Sequence, residues 1–445
     1  ANEEPKLMSM LGSLGAAGYS GINAFLDAAA FASIVFAPAG LPLDVGIQHA
    51  LLGYVVMQLV VTWLSAASAM ITPVSYEVIP FLARFATLVV HSLQAKGEPS
   101  SAALPTVLAG SALVSVGAGL LFLLLSAMPI GDSISKLLPA PMQAGLFAAI
   151  GWSLYELSFE TLKLQPPVAM VADGSLFAPD TARLWLTANG LGFCLWVLSR
   201  RISHPALFPS FVLGVTACTH IVLRVTGTAL AEARAGGWLM EATSGRPCSS
   251  LWYARDFRAV RLDILLEPEV LTQLLCAILF GPLVNSLLNL VLIEPLVATK
   301  LELGAELRAH AAGSLALGLA GGHSNYVAIS NTAIHIKCGG VDRLSCYAAA
   351  ATAALFLLVH PLFGVVGYVP TLVVAATCVY IGIDFLVDNL LVPLLDGQLA
   401  SAAVACAIFG ACLQMGMLGG VAAGLVGCQL WALASRAPAC REKAE

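Results

Sequence analysis

The stretch LGAELRAHAAGSLALGLAGGHSNYVAISNTAIHIKCGGVDRLS, residues 303–345, contains the pattern that decides the fold. Its first part, residues 304–320, is an apolar run suited to a membrane-spanning helix. Gly321 and Gly322 interrupt this run, and a shorter apolar segment with a polar start follows them. An apolar segment that begins after such a break is typical of the broken helices of membrane transporters.

The composition of the whole chain agrees with a membrane protein. Soluble chains carry about 25% charged residues, whereas this 445-residue chain has 11% charged residues, 59% hydrophobic residues and a mean hydropathy of +0.88. The net charge of −5 offers no basic surface for phosphates, so we expect no nucleic-acid partner. The sequence contains no nucleophile–base pair, phosphate loop or cluster of metal ligands, so we expect no enzymatic activity, no cofactor and no metal.

Apolar stretches long enough to span a bilayer recur along the chain. A spanning helix needs about 20 mainly apolar residues. The predicted full-length spans are 17–37, 45–65, 103–128, 140–159, 183–199, 206–226, 269–293, 304–320, 344–363, 365–386, 398–416 and 418–434. The two shorter segments, after Pro73 and after Gly322, raise the total to about fourteen. We therefore predict an all-α polytopic membrane protein.

The two short segments occupy matching positions in the two halves of the chain. Each begins about 55 residues after the start of the first span of its half, as the third segment of a set of seven. This spacing predicts a first repeat at 1–230, an extramembrane connector at 231–267, a second repeat at 268–436 and a C-terminal tail at 437–445. The connector is interpreted as a segment on the membrane surface, with a docking site for a partner as the alternative.

The distribution of lysine and arginine predicts the orientation. The loops on the side of the termini hold Lys6, Lys136, Arg200, Arg201, Lys300, Arg308, Lys337, Arg343, Arg436, Arg441 and Lys443. Short loops on the other side hold little beyond Lys96 and Lys163. By the positive-inside rule both termini face the cytoplasm, or the equivalent side of an organelle, and the membrane itself is not identified.

Three carboxylates fall within or beside predicted membrane segments. Asp27 lies in the middle of the first span, Glu77 in the first turn of the segment after Pro73, and Glu294 near the end of the 269–293 span. Ionisable groups at such positions are costly and are functional candidates. Structural alternatives remain open for each: a helix–helix hydrogen bond for Asp27, a helix cap or a pair with Arg84 for Glu77, and an interfacial position for Glu294.

The short segment after Gly322 is rich in neutral hydrogen-bonding groups. They are Ser324, Asn325, Ser330, Asn331 and Thr332. A half-helix that begins at mid-membrane presents free N–H groups and the positive end of its dipole. Two such ends that face one another would suit a solute with a negative charge or a carboxylate.

These residues resemble the SulP family, the sulfate permease and anion exchanger group. The strongest similarity runs through Glu306-Leu307-Arg308-Ala309-His310, Gly321-Gly322, Ser330-Asn331-Thr332 and Gly339-Gly340-Val341-Asp342-Arg343-Leu344-Ser345. The first half is more similar to a divergent fungal-type branch, through Leu26-Asp27 and Glu77-Val78-Ile79-Pro80-Phe81. The similarity covers most of the chain and is weaker before residue 260.

The resemblance implies fourteen segments in a seven-plus-seven inverted repeat. It implies a core domain of segments 1–4 and 8–11, a gate domain of segments 5–7 and 12–14, and elevator-type alternating access. It also implies a substrate site between segments 3 and 10. Transferred by position, that site comprises Ser75, Tyr76, Glu77, Ala328, Ile329, Ser330 and Asn331. Asp27, Glu77 and Glu294 are then the candidate coupling carboxylates.

The sequence departs from the family pattern in two respects. Asn331 stands where the family has an arginine, and Glu77 adds a negative charge, which disfavours sulfate or chloride and favours proton coupling or a zwitterionic or cationic solute. The family's cytoplasmic STAS domain is not expected, because the chain ends about ten residues after Ala434.

Two functions remain open at this point. The first is a secondary transporter for an anion or a small carboxylate-bearing solute, with proton coupling as an option. The second is a transporter fold that acts as an accessory subunit of a larger membrane complex. The expected partners are membrane lipid and a small solute or ion, and a homodimer or complex partners are compatible with the sequence.

Overall fold

The computed structural model describes residues 3–128, 139–202, 207–240, 247, 256–281, 286–297 and 299–436. Within these ranges the regular secondary structure is helical, and the β-structure consists of two isolated bridges. The α-helices are α1 (Glu3–Val35), α2 (Leu43–Leu64), α3 (Ile79–Ala95), α4 (Ala103–Ala127), α5 (Ala140–Thr161), α6 (Pro167–Asp173), α7 (Pro179–Arg201), α8 (Leu207–Thr226), α9 (Leu230–Ala235), α10 (Leu262–Leu265), α11 (Pro268–Leu279), α12 (Leu287–Val297), α13 (Leu303–Ala320), α14 (Ile329–Lys337), α15 (Arg343–Leu358), α16 (Thr371–Leu386), α17 (Val392–Leu395) and α18 (Leu399–Arg436). The all-α prediction is thus confirmed.

Several predicted spans end where the helices end. Helices α2, α4, α5, α8 and α13 each match their predicted span within about two residues. Their boundaries follow from local chemistry: Pro42 and Pro139 immediately precede α2 and α5, and proline fixes a backbone angle that starts a helix well. Gly321 ends α13 with a left-handed φ of 69°, a conformation that glycine adopts at little cost.

Other predicted spans need correction. Helix α1 begins well before residue 17, and the 269–293 span is two helices, α11 and α12, with residues 282–285 outside the described part. The 344–363 span ends at Leu358, where a bend of 86° leads into a short 3-10 segment. By contrast, the helical residues of α18 are divided at Gly416 (φ 76°, ψ 169°), next to the predicted boundary between the spans 398–416 and 418–434.

In the described residues, four helical stretches are long and apolar enough to cross a membrane by length and composition, and a bent pair would make a fifth. They are Leu43–Leu64, Ser100–Ala127, Thr371–Leu395 and Leu399–Met417. The count of about fourteen segments and the seven-plus-seven repeat therefore remain predictions. Large apolar side chains such as Leu124 and Val225 are exposed, as expected of a surface that faces lipid.

The helices pack in two groups. Helices α1, α2, α3, α4, α11, α13 and α15 contact one another in the first group, and α5, α7, α16 and α18 in the second. Small residues allow close approach in both groups. A Cβ on Gly318 would lie 2.5 Å from the Val116 side chain between α13 and α4, and a Cβ on Gly151 would lie 2.9 Å from the Gly382 carbonyl between α5 and α16.

Part of the predicted connector packs into the protein. Met240 donates its N–H to the Val369 carbonyl at 3.0 Å, and Thr371 donates to the Trp238 carbonyl at 3.1 Å. Leu239 and Met240 are buried. The extramembrane connector at 231–267 remains a prediction, and residues 241–246 and 248–255, like the tail at 437–445, lie outside the described residues.

A cluster of ion pairs joins the end of the predicted connector (231–267) to the end of α3. Lys96 Nζ lies 2.7 Å from Glu267 and 3.1 Å from Asp263, and Arg261 lies 2.6 Å from Glu98. The hydrogen bond that Lys96 donates to Glu267 lowers the pKa of Glu267 and raises the pKa of Lys96. The cluster is mostly exposed, so each pair contributes little to stability by itself.

Candidate functional site

The two broken segments cross each other in antiparallel fashion. The extended residues before α3 and those before α14 meet at a β-bridge between Val74 and Asn325. Ala328 donates its N–H to the Ile71 carbonyl at 3.1 Å, and Asn325 Nδ2 donates to the Thr72 carbonyl at 3.1 Å. The helix N-termini of α3 and α14 therefore lie at opposite ends of one short crossing.

Two buried side chains bond to backbone groups of this crossing that have no backbone partner in the described structure. Thr332 Oγ1 accepts the N–H of Ile71 at 3.0 Å. The Gln58 amide on α2 accepts from the Thr72 N–H at 2.9 Å and donates to the Met70 carbonyl at 2.7 Å. Gln58 and Thr332 are fully buried. Because buried backbone groups need partners, these two side chains hold the first crossing strand in place.

The segment after Pro73 starts its helix later than the sequence suggested. Residues 73–78 are extended or in a turn, and α3 begins only at Ile79, with Val78 as its N-cap. Glu77 therefore precedes the helix, which corrects its expected position in the first helical turn. Ser75 Oγ donates to Glu77 Oε2 at 2.7 Å, and Ser75 is buried while Glu77 is half-buried.

Asp27 on α1 reaches the same loop. Tyr76 Oη donates to Asp27 Oδ1 at 3.1 Å, and Asn23 Nδ2 donates to Asp27 Oδ2 at 2.9 Å. Asp27 is only 6% exposed, and the ion pairs of the described residues do not include it. Its carboxylate is thus held by neutral donors, one of them a residue of the candidate site.

The second half of the candidate site is the first turn of α14. Ala328 is the N-cap, and Ile329, Ser330 and Asn331 are the first helical residues. The Ile329 N–H points to Asn289 Oδ1 on α12 at 3.4 Å. The side chain of Ser330 lies outside the described part, so its contribution to the site stays a prediction.

Two other sequence candidates lie apart from this crossing. Glu294 on α12 is half-buried, and the structure shows no hydrogen bond between it and the other described site residues. Arg84 is exposed on α3 and forms no ion pair with Glu77 in the described structure, so the Glu77–Arg84 alternative is wrong. Arg84 instead faces a cavity.

This cavity has a volume of about 870 Å³ and lies between the two helix groups. The first group contributes Pro80, Phe81, Arg84 and Thr87, which share one face of α3. The second group contributes residues of α5 together with Met415 and Met417, which flank the kink of α18. The cavity therefore begins one turn beyond the crossing and runs along α3.

The charged wall of the cavity was missed by the sequence reasoning. Arg84, Glu156, Glu160 and Lys163 all line it. Glu156 and Glu160 are one turn apart on α5, a spacing that puts them on the same helix face. That spacing was a usable signal, but both glutamates lie near the end of an apolar run, where charged residues are ordinary.

Comparisons with known proteins agree with the helical membrane fold. The family model described as the sulfate permease family matches residues 255–407, and no curated protein sequence gives a significant match. The solved transmembrane domain of BicA, a cyanobacterial bicarbonate transporter, is similar over 93% of this chain and 97% of its own, with 18% identity and a TM-score of 0.63. SLC26A9 is similar with 15% identity and a TM-score of 0.64 over 95% of this chain and 64% of its own. A murine SLC26A9 anion transporter in the inward-facing state is similar with 15% identity and a TM-score of 0.63, over 96% of this chain and 68% of its own.

Proposed function

We propose that the chain is a member of the sulfate permease family and a secondary transporter for an anion or a small carboxylate-bearing solute. The family model covers the segments that carry α11 to α17, including the whole second half of the candidate site. The fold similarity to BicA and SLC26A9 covers the rest of the chain as well and supports this proposal. Transport, not catalysis, is the activity of this family.

The observation that carries the proposal is the antiparallel crossing of the two broken segments. It holds the segment with Ser75, Tyr76 and Glu77, which leads into α3, against the segment that leads into α14. Free N–H groups and dipole ends at helix N-termini attract negative groups. A carboxylate or another small anion would be attracted there by the positive dipole end of α14, without a fixed cation, since Asn331 is neutral; the N–H groups of Ala328 and Ile329 are already bonded to Ile71 and Asn289.

The division into two helix groups supports an elevator-type movement. Both broken segments belong to the group of α1–α4 and α13, and the 870 Å³ cavity separates them from α5 and α18. The first group would slide along the second as a unit and carry the bound solute with it. Small residues at the α4–α13 and α5–α16 contacts keep each group tightly packed within itself.

Proton coupling would use the carboxylates at the crossing. Asp27 and Glu77 both lie next to Tyr76 or Ser75 and are held by neutral hydroxyl donors. Asp27 is buried and takes no part in the ion pairs of the described residues, which is costly for a charged carboxylate, and uptake of a proton removes that cost. A proton on Asp27 or Glu77 would also remove the repulsion that a negative solute meets at this site.

Solute uptake into proteoliposomes tests the proposal. The purified chain is offered radiolabelled bicarbonate, sulfate and acetate, with and without an imposed pH gradient. For whichever anion the wild type moves, Glu77→Gln and Ser330→Ala should lower the initial rate, and Asp27→Asn should abolish its response to the pH gradient. Glu269→Gln, at an exposed position in the first turn of α11, is the matched carboxylate control.

The same preparation separates transport from the accessory-subunit alternative. Absence of uptake for every solute, together with co-purification of a partner in fixed stoichiometry from native membranes, would favour the accessory role. Uptake that neither Glu77→Gln nor Ser330→Ala changes would leave transport standing but would refute the site.

A further inference from the structure

Arg84 is the cation nearest in sequence to the first half of the candidate site, and its position calls for a function. It lies on the same face of α3 as Pro80, Phe81 and Thr87, and all four line the cavity between the helix groups. At a rise of about 1.5 Å per residue, Arg84 stands roughly 7–8 Å along α3 from its first residue, Ile79. Arg84 therefore lies in the cavity and not at the crossing, whose residues do not line the cavity.

The opposite wall of the cavity carries negative charge. Glu156 and Glu160 on α5 line the cavity, and Arg84 is close enough to Glu160 for an electrostatic interaction. No ion pair within 4.0 Å joins Arg84 to either glutamate in the described structure. An open gap therefore separates a guanidinium on one helix group from two carboxylates on the other.

We propose that Arg84 forms an entry subsite that binds the negative group of the solute, in competition with Glu160. This inference rests on the proposed transport function and deepens it by naming the residue that supplies the missing positive charge. The guanidinium presents a planar fork of donors that matches carboxylates and oxyanions. The neutral Asn331 of α14 then no longer argues against an anionic solute, because the fixed charge sits on α3 and not on α14.

Competition between the solute and Glu160 for Arg84 also couples solute binding to the attraction between the two helix groups. When the cavity is empty, Arg84 and Glu160 attract each other across the gap between the groups. A bound anion compensates Arg84 and leaves Glu160 without its counter-charge. Occupancy of the subsite thus weakens one attraction between the groups, whose relative movement the elevator mechanism requires.

Kinetics of anion uptake test the subsite. In proteoliposomes, with the anion among bicarbonate, sulfate and acetate that the wild type transports, Arg84→Gln should raise KM about tenfold, the ratio expected for one lost charge-assisted hydrogen bond. Arg84→Lys should raise KM less, because it keeps the charge and loses the fork. Glu160→Gln should lower KM, because it removes the competing carboxylate.

The ionic-strength dependence gives a second readout. The wild-type KM should rise with salt, since screening weakens a partly solvated charge interaction, and Arg84→Gln should flatten this dependence. Lys163→Gln removes the same charge from the same cavity and is the matched control, with less than half the effect of Arg84→Gln on KM.

The outcomes are distinct. No uptake by the wild type would refute the proposed function. Wild-type uptake with an unchanged KM in both Arg84→Gln and Glu160→Gln would refute only the subsite. An equal rise of KM in Lys163→Gln would also refute it, because the effect would then reflect the overall charge of the cavity. Arg84 is exposed to the cavity, so its substitution should leave folding intact, as a monodisperse elution profile would verify.

Discussion

Replacement of Thr332 by valine should weaken the crossing of the two broken segments. Thr332 is fully buried, and its hydroxyl oxygen is the acceptor for the Ile71 N–H at 3.0 Å. Valine has nearly the same shape but no acceptor, so Ile71 would keep a buried N–H without a partner. The cost of such an unsatisfied group is about 1–3 kcal/mol.

The magnitude can be converted into a melting shift. A loss of 1 kcal/mol shifts Tm by roughly 2–4 °C for chains of 150–250 residues, and by less for longer chains. For this chain we expect Thr332→Val to lower Tm by about 1–5 °C. Scanning fluorimetry of the detergent-purified protein measures this shift, and the same variant should transport more slowly because the α3 end of the site loses its anchor.

Thr332→Ser is the matched control for this prediction. Serine keeps the hydroxyl and loses only a methyl group, so its Tm should remain closer to that of the wild type than the Tm of Thr332→Val. If valine leaves Tm unchanged, or if serine is as destabilising as valine, the hydroxyl is not the partner that holds Ile71. The crossing would then depend on packing alone.

Three further predictions address other parts of the structure. Gly53→Ala should destabilise the protein by about 1–3 kcal/mol, because the added Cβ would clash with a main-chain carbonyl oxygen of the second crossing segment. A thermal melt measures this loss, and an unchanged Tm would contradict the contact. Tyr76→Phe should slow initial anion uptake roughly tenfold or more, because it removes the hydroxyl donor of Asp27, and unaltered uptake would show that this hydrogen bond is dispensable. The pKa of Glu267 is lowered by Lys96, so this group stabilises the fold above the ordinary glutamate pKa of about 4.3 and loses that contribution as the pH falls through its lower folded value. An acid-stability profile should therefore differ between the wild type and Glu267→Gln, and identical profiles would refute the contribution.

Local pattern predicted much of the fold. The apolar runs gave α2, α4, α5 and α13 nearly to the residue, because a spanning helix needs a continuous apolar stretch and its ends are marked by proline or glycine. Pattern failed where the backbone departs from a plain helix. The start of α3 at Ile79, two residues after Glu77, depends on contacts that hydropathy does not record.

The candidate site divides in the same way. The residue types pointed to two broken segments with Ser75–Glu77 on one and Ala328–Asn331 on the other, because polar groups and glycines are unexpected in an apolar run. Whether these residues bind a solute stays a prediction. The partner of Asp27 could not be read from the sequence, since Tyr76 lies 49 residues away along the chain.

The sequence by itself determined the class of this protein: a charge content of 11% cannot cover a soluble surface, and two interrupted apolar segments indicate a transporter. Only the tertiary structure decided that these segments cross in antiparallel fashion, that Asp27 meets Tyr76, and that Arg84 faces Glu160 across a cavity. The physical reason is that sequence patterns describe each segment locally, without its neighbours in space. Composition and periodicity report the environment of each segment, whereas a site depends on which segments are packed together and on the distances between their side chains.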